Sequence, residues 1–222
     1  MTTEPGGGQA GPRPRLVLAT MNPHKLIELT RILQAGRVEV ELVSLADFPG
    51  APAVPETGAT FAENALVKAH AIAEFTGLPA VADDSGLCVD ALNGMPGVLS
   101  ARWSGKHGDD EGNLWLVLGQ LADVPEDRRG AQFVCVAAFA LPGGREHVTE
   151  GIVSGRLIRA PRGENGFGYD PIFVPAAATL AAVGLPVTGQ TTAEMEPADK
   201  DKISHRGKAL RGLAPVIAAF LD

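Results

Sequence analysis

Residues suited by type and position to chemistry gather at four places in this sequence. The first is Thr20-Met21-Asn22-Pro23-His24-Lys25, between an apolar run (Leu16 to Ala19) and residues at helical spacing, Leu26, Leu29, Ile32 and Leu33. A helix N-terminus carries free N–H groups and a partial positive charge, which attract phosphate. Thr20 and Asn22 add side-chain donors, and Lys25 adds a cation in the first turn. The glycines and the Gly-Lys-Ser/Thr ending of a Walker loop are missing. A routine capped helix with a surface lysine would read the same way.

The second place is Asp83-Asp84-Ser85-Gly86, after the short apolar stretch Ala80-Val81-Ala82. Two adjacent carboxylates at a strand end face different directions and suit different tasks. Such strand ends line the ligand crevice of open α/β sheets. A carboxylate there can bind Mg²⁺ and can orient or deprotonate a water. An Asp-rich turn is the plainer alternative. Ser85 does not sit in a Gly-x-Ser-x-Gly elbow, so a hydrolase triad with His205 has no support. Upstream, Thr60 and Glu63 form a capping box, which accounts for Glu63. Glu56, in the loop before it, has no such employment and is a candidate metal ligand. Lys68 lies on the helix that follows.

The third place is Gly163-Glu164-Asn165-Gly166-Phe167-Gly168-Tyr169-Asp170-Pro171. Glycines on both sides of Phe167 let the loop bend and present the ring to a flat ligand. Aromatic residues make up only 5% of the chain, so two in one Gly-rich loop stand out. The plainer reading tucks both into the core. The fourth place, Lys200 to Arg206, contains Ser204-His205-Arg206. Its His and Arg can hydrogen-bond a base edge or a phosphate, or simply begin a charged helix.

These clusters need a scaffold, and the hydrophobic pattern supplies one of α/β class. Residues Met1 to Pro14, with Gly6-Gly7-Gly8 and three prolines, read as a flexible tail, so one domain is expected from Arg15 to Asp222. Strands are expected at Leu16–Ala19, Val38–Leu45, Ala80–Ala82, Leu87–Leu92 and Ile172–Val174. A long hairpin is expected from Gln132 to Ile158 around Pro142-Gly143-Gly144. Helices are expected from Pro23 to Gly36, from Thr60 to Thr76 and from Asp110 to Leu121. Ser204 to Phe220 also has a helical pattern, weakened by Gly207, Gly212 and Pro215. The Ala-rich stretch Ala176–Gln190 fits no pattern.

Composition narrows the function classes. Hydrophobic residues make up 45% of the chain and charged residues 20%, too apolar for a disordered protein. No apolar run is long enough to span a bilayer, and no secretory signal opens the chain. A net charge of −7 argues against a general nucleic-acid coat but not against a small anionic ligand. Cys88 and Cys135 both lie in apolar contexts and read as buried, reduced thiols. A cytoplasmic protein without membrane partners is the expectation.

Taken in order, the segments resemble the inosine triphosphate pyrophosphatase family, hydrolases of non-standard purine nucleoside triphosphates. The resemblance rests on Leu18–Lys25, Glu56-Thr57-Gly58, Thr60–Ala65, Lys68-Ala69, Ala82–Leu87, Ser100–Gly105, Gly166–Pro171, and Lys200 with Ser204–Gly207. It implies an elongated, twisted mixed sheet flanked by helices, with two lobes around a nucleotide cleft, and a homodimer. It implies cleavage of ITP, dITP or XTP between the α and β phosphates with Mg²⁺, giving a monophosphate and pyrophosphate. Thr20 through Lys25 and Lys68 would then hold the phosphates, and Ser85 would touch substrate. Glu56 and Asp84 would position the metal, with Asp84 accepting the proton of the attacking water. Phe167, Gly168, Tyr169 and Asp170 would wall the base and sugar, while Lys200, His205 and Arg206 close over the nucleotide and read the base edge. Met21 stands where members often carry glycine, and the Ala-rich stretch is longer than usual. A nucleotide-binding regulator would be expected to lack Asp84 or its metal partner, and both Asp84 and Glu56 are present. A purely structural oligomer leaves the coincidence of the clusters unexplained.

Overall fold

The computed structural model describes residues 13–221. Most of the expected tail lies outside the described residues. At its inner end, Pro14 O accepts the Glu41 backbone N–H at 2.9 Å. One six-stranded mixed sheet organises the chain, in the order β2-β1-β3-β4-β5-β6. Strands β1 (Arg15–Leu18), β2 (Glu41–Ser44) and β3 (Ala80–Val89) run parallel. Strands β4 (Gly130–Ala140), β5 (Glu146–Leu157) and β6 (Phe173–Pro175) continue the sheet antiparallel. The helices are α1 (Pro23–Ala35), α2 (Phe61–Thr76), α3 (Asp110–Gln120), α4 (Ala177–Ala181), α5 (Pro197–Ile203) and α6 (His205–Leu221).

The expected α/β class and mixed sheet are present. Alternation along β3 and β4 sorts the side chains to two faces. Val81, Cys135, Ala137 and Phe139 pack with α1 and α6 on one face. Ala80, Ala82, Val136 and Ala138 pack with α2 on the other. Farther along β3, Leu87 and Val89 join Val153 of β5, α3, Tyr169 and Phe173 in a separate core. Asp83-Asp84-Ser85-Gly86 of β3 therefore lies between the two cores that flank the sheet at Ala80–Ala82 and the separate core around Leu87 and Val89.

Of three local expectations, two are corrected and the helical reading of Ser204 to Phe220 is borne out. Asp83-Asp84-Ser85-Gly86 is not the end of a strand: β3 runs unbroken through it, paired residue for residue with Ala137 to Val134. The apolar β4 supplies a full ladder, and that pairing outweighs the poor strand propensity of Asp and Gly. Second, α6 is continuous through Gly207, Gly212 and Pro215. Its buried residues Ala209, Leu210, Leu213 and Ile217 pack on the sheet, and Thr149 Oγ1 donates to Ala209 O at 2.8 Å. Tertiary burial holds a helix that propensity alone would not. Third, Cys135 is buried but Cys88 only half so, and both are free thiols. The Ala-rich stretch forms α4 and a loop, with Leu180 packed against Met195 and Ile203.

Candidate active site

The site begins where β1 stops. β1 pairs with β3 only as far as Leu18 opposite Val81, and Ala19 N–H adds a last bond to Val81 O. Beyond that point the β3 edge facing β1 has no strand beside it. The turn holding Thr20, Met21 and Asn22 fills this corner, with Asn22 N–H bonded to Thr20 Oγ1 at 3.2 Å. Met21 is largely exposed. The side chains of Pro23 and His24 are outside the described ones.

Asp83 and Asp84 are consecutive in a strand, so they point to opposite faces. Asp83 turns toward α1 and α6. Its carboxylate accepts from Lys25 Nζ at 3.0 and 3.3 Å and from Arg206 Nη2 at 2.5 Å. Burial pushes this carboxyl up, but Arg206 and Lys25 together outweigh it and hold it well below the usual carboxylate range. Arg206 also lies 3.9 Å from Glu28. Ser85, half-buried, follows on the same face as Asp83.

Asp84 turns the other way, toward α2. Lys68 Nζ lies 3.4 Å from Asp84 Oδ1 and 3.1 Å from Glu56 Oε1, and donates to the open-edge carbonyl of Asp83 at 2.7 Å. Asn64 Nδ2 donates to Asp84 Oδ2 at 3.0 Å. Arg102 grips Glu56 twice, at Oε2 (3.0 Å) and at the backbone carbonyl (3.1 Å). Burial raises the Asp84 carboxyl above its ordinary value, only partly opposed by Lys68 and Asn64. Burial also pushes Glu56 up, yet Lys68 and Arg102 prevail and lower it. The structure thus brings Glu56, Lys68 and Asp84 to one point. Local sequence explains how each gets there. Thr60 Oγ1 caps α2 through Glu63 N–H at 3.1 Å, while Glu63 reaches back to Ala59 N–H at 2.6 Å. Arg102 ends a short 3₁₀ turn pinned to β3 by Ser100, whose Oγ accepts the Leu87 N–H at 2.9 Å.

The aromatic loop lies toward the core around Leu87 and Val89, which Tyr169 joins. Gly166 and Gly168 take φ values of +82° and +60°, the left-handed bend expected there. Phe167 is 77% exposed, with Lys200 Nζ 5.7 Å from its ring centroid. Tyr169 is buried, and its hydroxyl donates to Ser100 O at 2.8 Å, so it braces the loop. Asp170, also buried, accepts from Lys200 at 2.5 Å, Phe167 N–H at 2.9 Å and Thr192 at 2.8 Å. The His205 ring stacks on Phe133 at 5.1 Å. Burial, reinforced by Arg206, lowers its pKa to about 4, so the imidazole is neutral at pH 7.

Sequence reasoning gave Asn64 and Arg102 no role, although both lie in segments quoted for the resemblance. Spacing does not reveal that their side chains reach across to Asp84 and Glu56.

The model of the Ham1 family matches residues 16–216. A dITP/XTP pyrophosphatase of Streptomyces coelicolor is 55% identical over 93% of this chain and 98% of its own length. The crystal structure of a nucleoside-triphosphatase, dITP/XTP pyrophosphatase, from Mycobacterium abscessus superposes with a TM-score of 0.76 at 54% identity, covering 91% of this chain and 99% of that one. A Ham1 protein from Coxiella burnetii gives a TM-score of 0.81 at 40% identity, covering 93% and 99%. These matches bear out the resemblance drawn from the motifs. The chain belongs to the Ham1 family.

Proposed function

We propose that this chain is a nucleoside triphosphate pyrophosphatase that cleaves dITP, ITP and XTP to the monophosphate and pyrophosphate, clearing them from the nucleotide pool. The observation that carries the reading is the convergence of Glu56 and Asp84 on the Lys68 ammonium, beside the turn at the end of β1. Two hard carboxylates directed at one cation suit a divalent metal that also binds substrate phosphates. Charge balance asks for that metal too. Lys25, Lys68, Arg102 and Arg206 meet Glu28, Glu56, Asp83 and Asp84 in the ion pairs around the site. Four cations against four carboxylates leave little positive charge for a triphosphate. Mg²⁺, held by Glu56 and Asp84, supplies neutralisation of phosphate charge and a more acidic water.

The chain's own residues do the rest. Thr20, Asn22 and the first N–H groups of α1 receive the phosphates, with Lys25 and Lys68 stabilising charge that develops in the transition state. Asp84 aligns the attacking water and takes its proton. Ser85 touches the substrate. Phe167 stacks on the purine, and Tyr169 and Asp170 fix the loop that presents it. Lys200, His205 and Arg206 close over the base, neutral His205 donating from one ring nitrogen and Arg206 from its guanidinium. One catalytic domain from residue 15 onward, acting as a cytoplasmic homodimer without nucleic acid, completes the reading. No helix among the described residues is long and apolar enough to cross a membrane.

The test is phosphate release from ITP and Mg²⁺, with and without added inorganic pyrophosphatase. Phosphate should appear only when the pyrophosphatase is present. Equal release without it would mean stepwise loss of phosphate and would refute the reading.

A further inference from the structure

We propose that Asn64 is the positioning residue that aims both metal-binding carboxylates, and so sets how tightly the site holds its divalent cation. The inference deepens, and rests on, the metal role given to Glu56 and Asp84 above. Asn64 stands in the first turn of α2 and is 1% exposed. Both ends of its amide are engaged. Oδ1 accepts the Gly58 N–H at 2.7 Å, and Nδ2 donates to Asp84 Oδ2 at 3.0 Å. The amide orientation follows from its partners, because only the carbonyl can face an N–H and only the NH₂ can face a carboxylate.

Gly58 lies two residues after Glu56, so one planar amide ties the Glu56 loop to the Asp84 strand. The tie leaves each carboxylate one oxygen for the centre. Asn64 occupies Asp84 Oδ2 and Arg102 occupies Glu56 Oε2, and the remaining Oδ1 and Oε1 both face Lys68. The fit excludes a side chain at position 58, where a Cβ would lie 2.7 Å from Glu63 Cβ and 2.8 Å from Asn64 Oδ1. Among its buried helix neighbours Ala65, Ala69 and Ala73, an asparagine adds nothing to helix propensity. Partners that orient metal ligands typically contribute 10- to 100-fold in metal affinity or activity.

The test compares the full chain with Asn64→Ala and Asn64→Ser, the latter too short to reach both partners and the safer of the two to fold. Three quantities are measured: Mn²⁺ binding to nucleotide-free protein by electron paramagnetic resonance, the Mg²⁺ concentration for half-maximal ITP hydrolysis, and KM for ITP at saturating Mg²⁺. We expect Mn²⁺ binding to weaken at least about 10-fold and the Mg²⁺ requirement to rise in parallel. KM at saturating Mg²⁺ should stay within about threefold, with turnover largely restored by excess metal. If the folded variants have a lowered Tm but unchanged Mn²⁺ binding and Mg²⁺ requirement, Asn64 is only structural and the inference fails alone. If the wild-type protein neither binds Mn²⁺ nor needs Mg²⁺, the metal reading itself fails and takes this inference with it.

Discussion

An Asp84→Asn substitution keeps the side chain's shape and removes its charge. In the structure Asn64 can still donate to the amide oxygen at position 84, and Lys68 retains Glu56 at 3.1 Å and the Asp83 carbonyl at 2.7 Å. The scaffold therefore stays tied together, while the proposed base is lost. A positioned general base is worth about 10²–10⁴-fold, or roughly 2.7–5.4 kcal/mol of barrier. Stability should move the other way. Burial raises the Asp84 pKa in the folded state despite Lys68 and Asn64, so folding resists its ionisation. The sign follows from linkage: the stability it contributes is full below the unfolded-state pKa, is lost as pH rises through the carboxylate range, and at pH 7 its charge is a burden. The neutral amide removes that burden. Initial rates on ITP with saturating Mg²⁺, together with Tm in metal-free buffer at pH 7, read both effects. We expect kcat to fall at least about 10²-fold. Tm should hold level or rise, by up to about 4 °C, which corresponds to about 1 kcal/mol in a chain of this size. A variant active within a few-fold of wild type would refute the assignment of Asp84. A collapse in Tm alongside the rate would show that the residue serves the fold.

The neighbouring carboxylate should behave oppositely. Asp83→Asn leaves Arg206 and Lys25 facing a neutral group, and breaking such a buried arrangement costs about 3 kcal/mol, so Tm should drop roughly 10 °C. Because the Asp83 pKa is held below its ordinary value, its stabilisation is present at pH 7 and lost as pH falls through that lowered pKa; calorimetric melts from pH 7 downward should show wild type and variant converging at acid pH. Metal-stripped protein in excess EDTA should be inactive on ITP and regain activity with Mg²⁺, and undiminished turnover would defeat the metal reading. Phe167→Ala should weaken ITP and ATP alike in kcat/KM, since stacking is blind to the exocyclic group, with little change in Tm at a 77% exposed position. Arg206→Ala should lower kcat/KM for ITP by about ten- to a hundred-fold more than for ATP, because an arginine donor matches a keto oxygen at position 6 but not an amino group. An unchanged ITP-to-ATP ratio would place base reading elsewhere.

Signals carried by short stretches of chain were legible in the sequence. The strand, turn and helix from Leu16 to Ala35, the Thr60 cap of α2 and the β4–β5 hairpin all follow from apolar period, capping residues and turn residues. Interactions that depend on distant partners were not. Asp83-Asp84-Ser85-Gly86 resembles a turn in isolation and becomes strand interior only because β4 pairs along its whole length. The opposite directions of the two aspartates were legible, since any strand alternates its faces. Glu56 stands out in the sequence because no local role explains it, but its grip by Arg102, 46 residues away, has no local trace. The resemblance places Tyr169 and Asp170 beside the base and sugar. The structure shows both buried, where they brace the loop that exposes Phe167. Two glycines and Pro215 weaken the helical pattern of α6, whose stability comes from burial against β4 and β5.

The central claim concerns which bond breaks, and ³¹P NMR of ITP incubated with the protein and Mg²⁺ tests it most directly. Wild-type protein should give inosine monophosphate and pyrophosphate resonances in equal amounts from the first time point, without free phosphate or the diphosphate. Asp84→Asn, run in parallel, should give the same products at least about 10²-fold more slowly. Appearance of inosine diphosphate and phosphate, or equal rates for both proteins, would contradict the account.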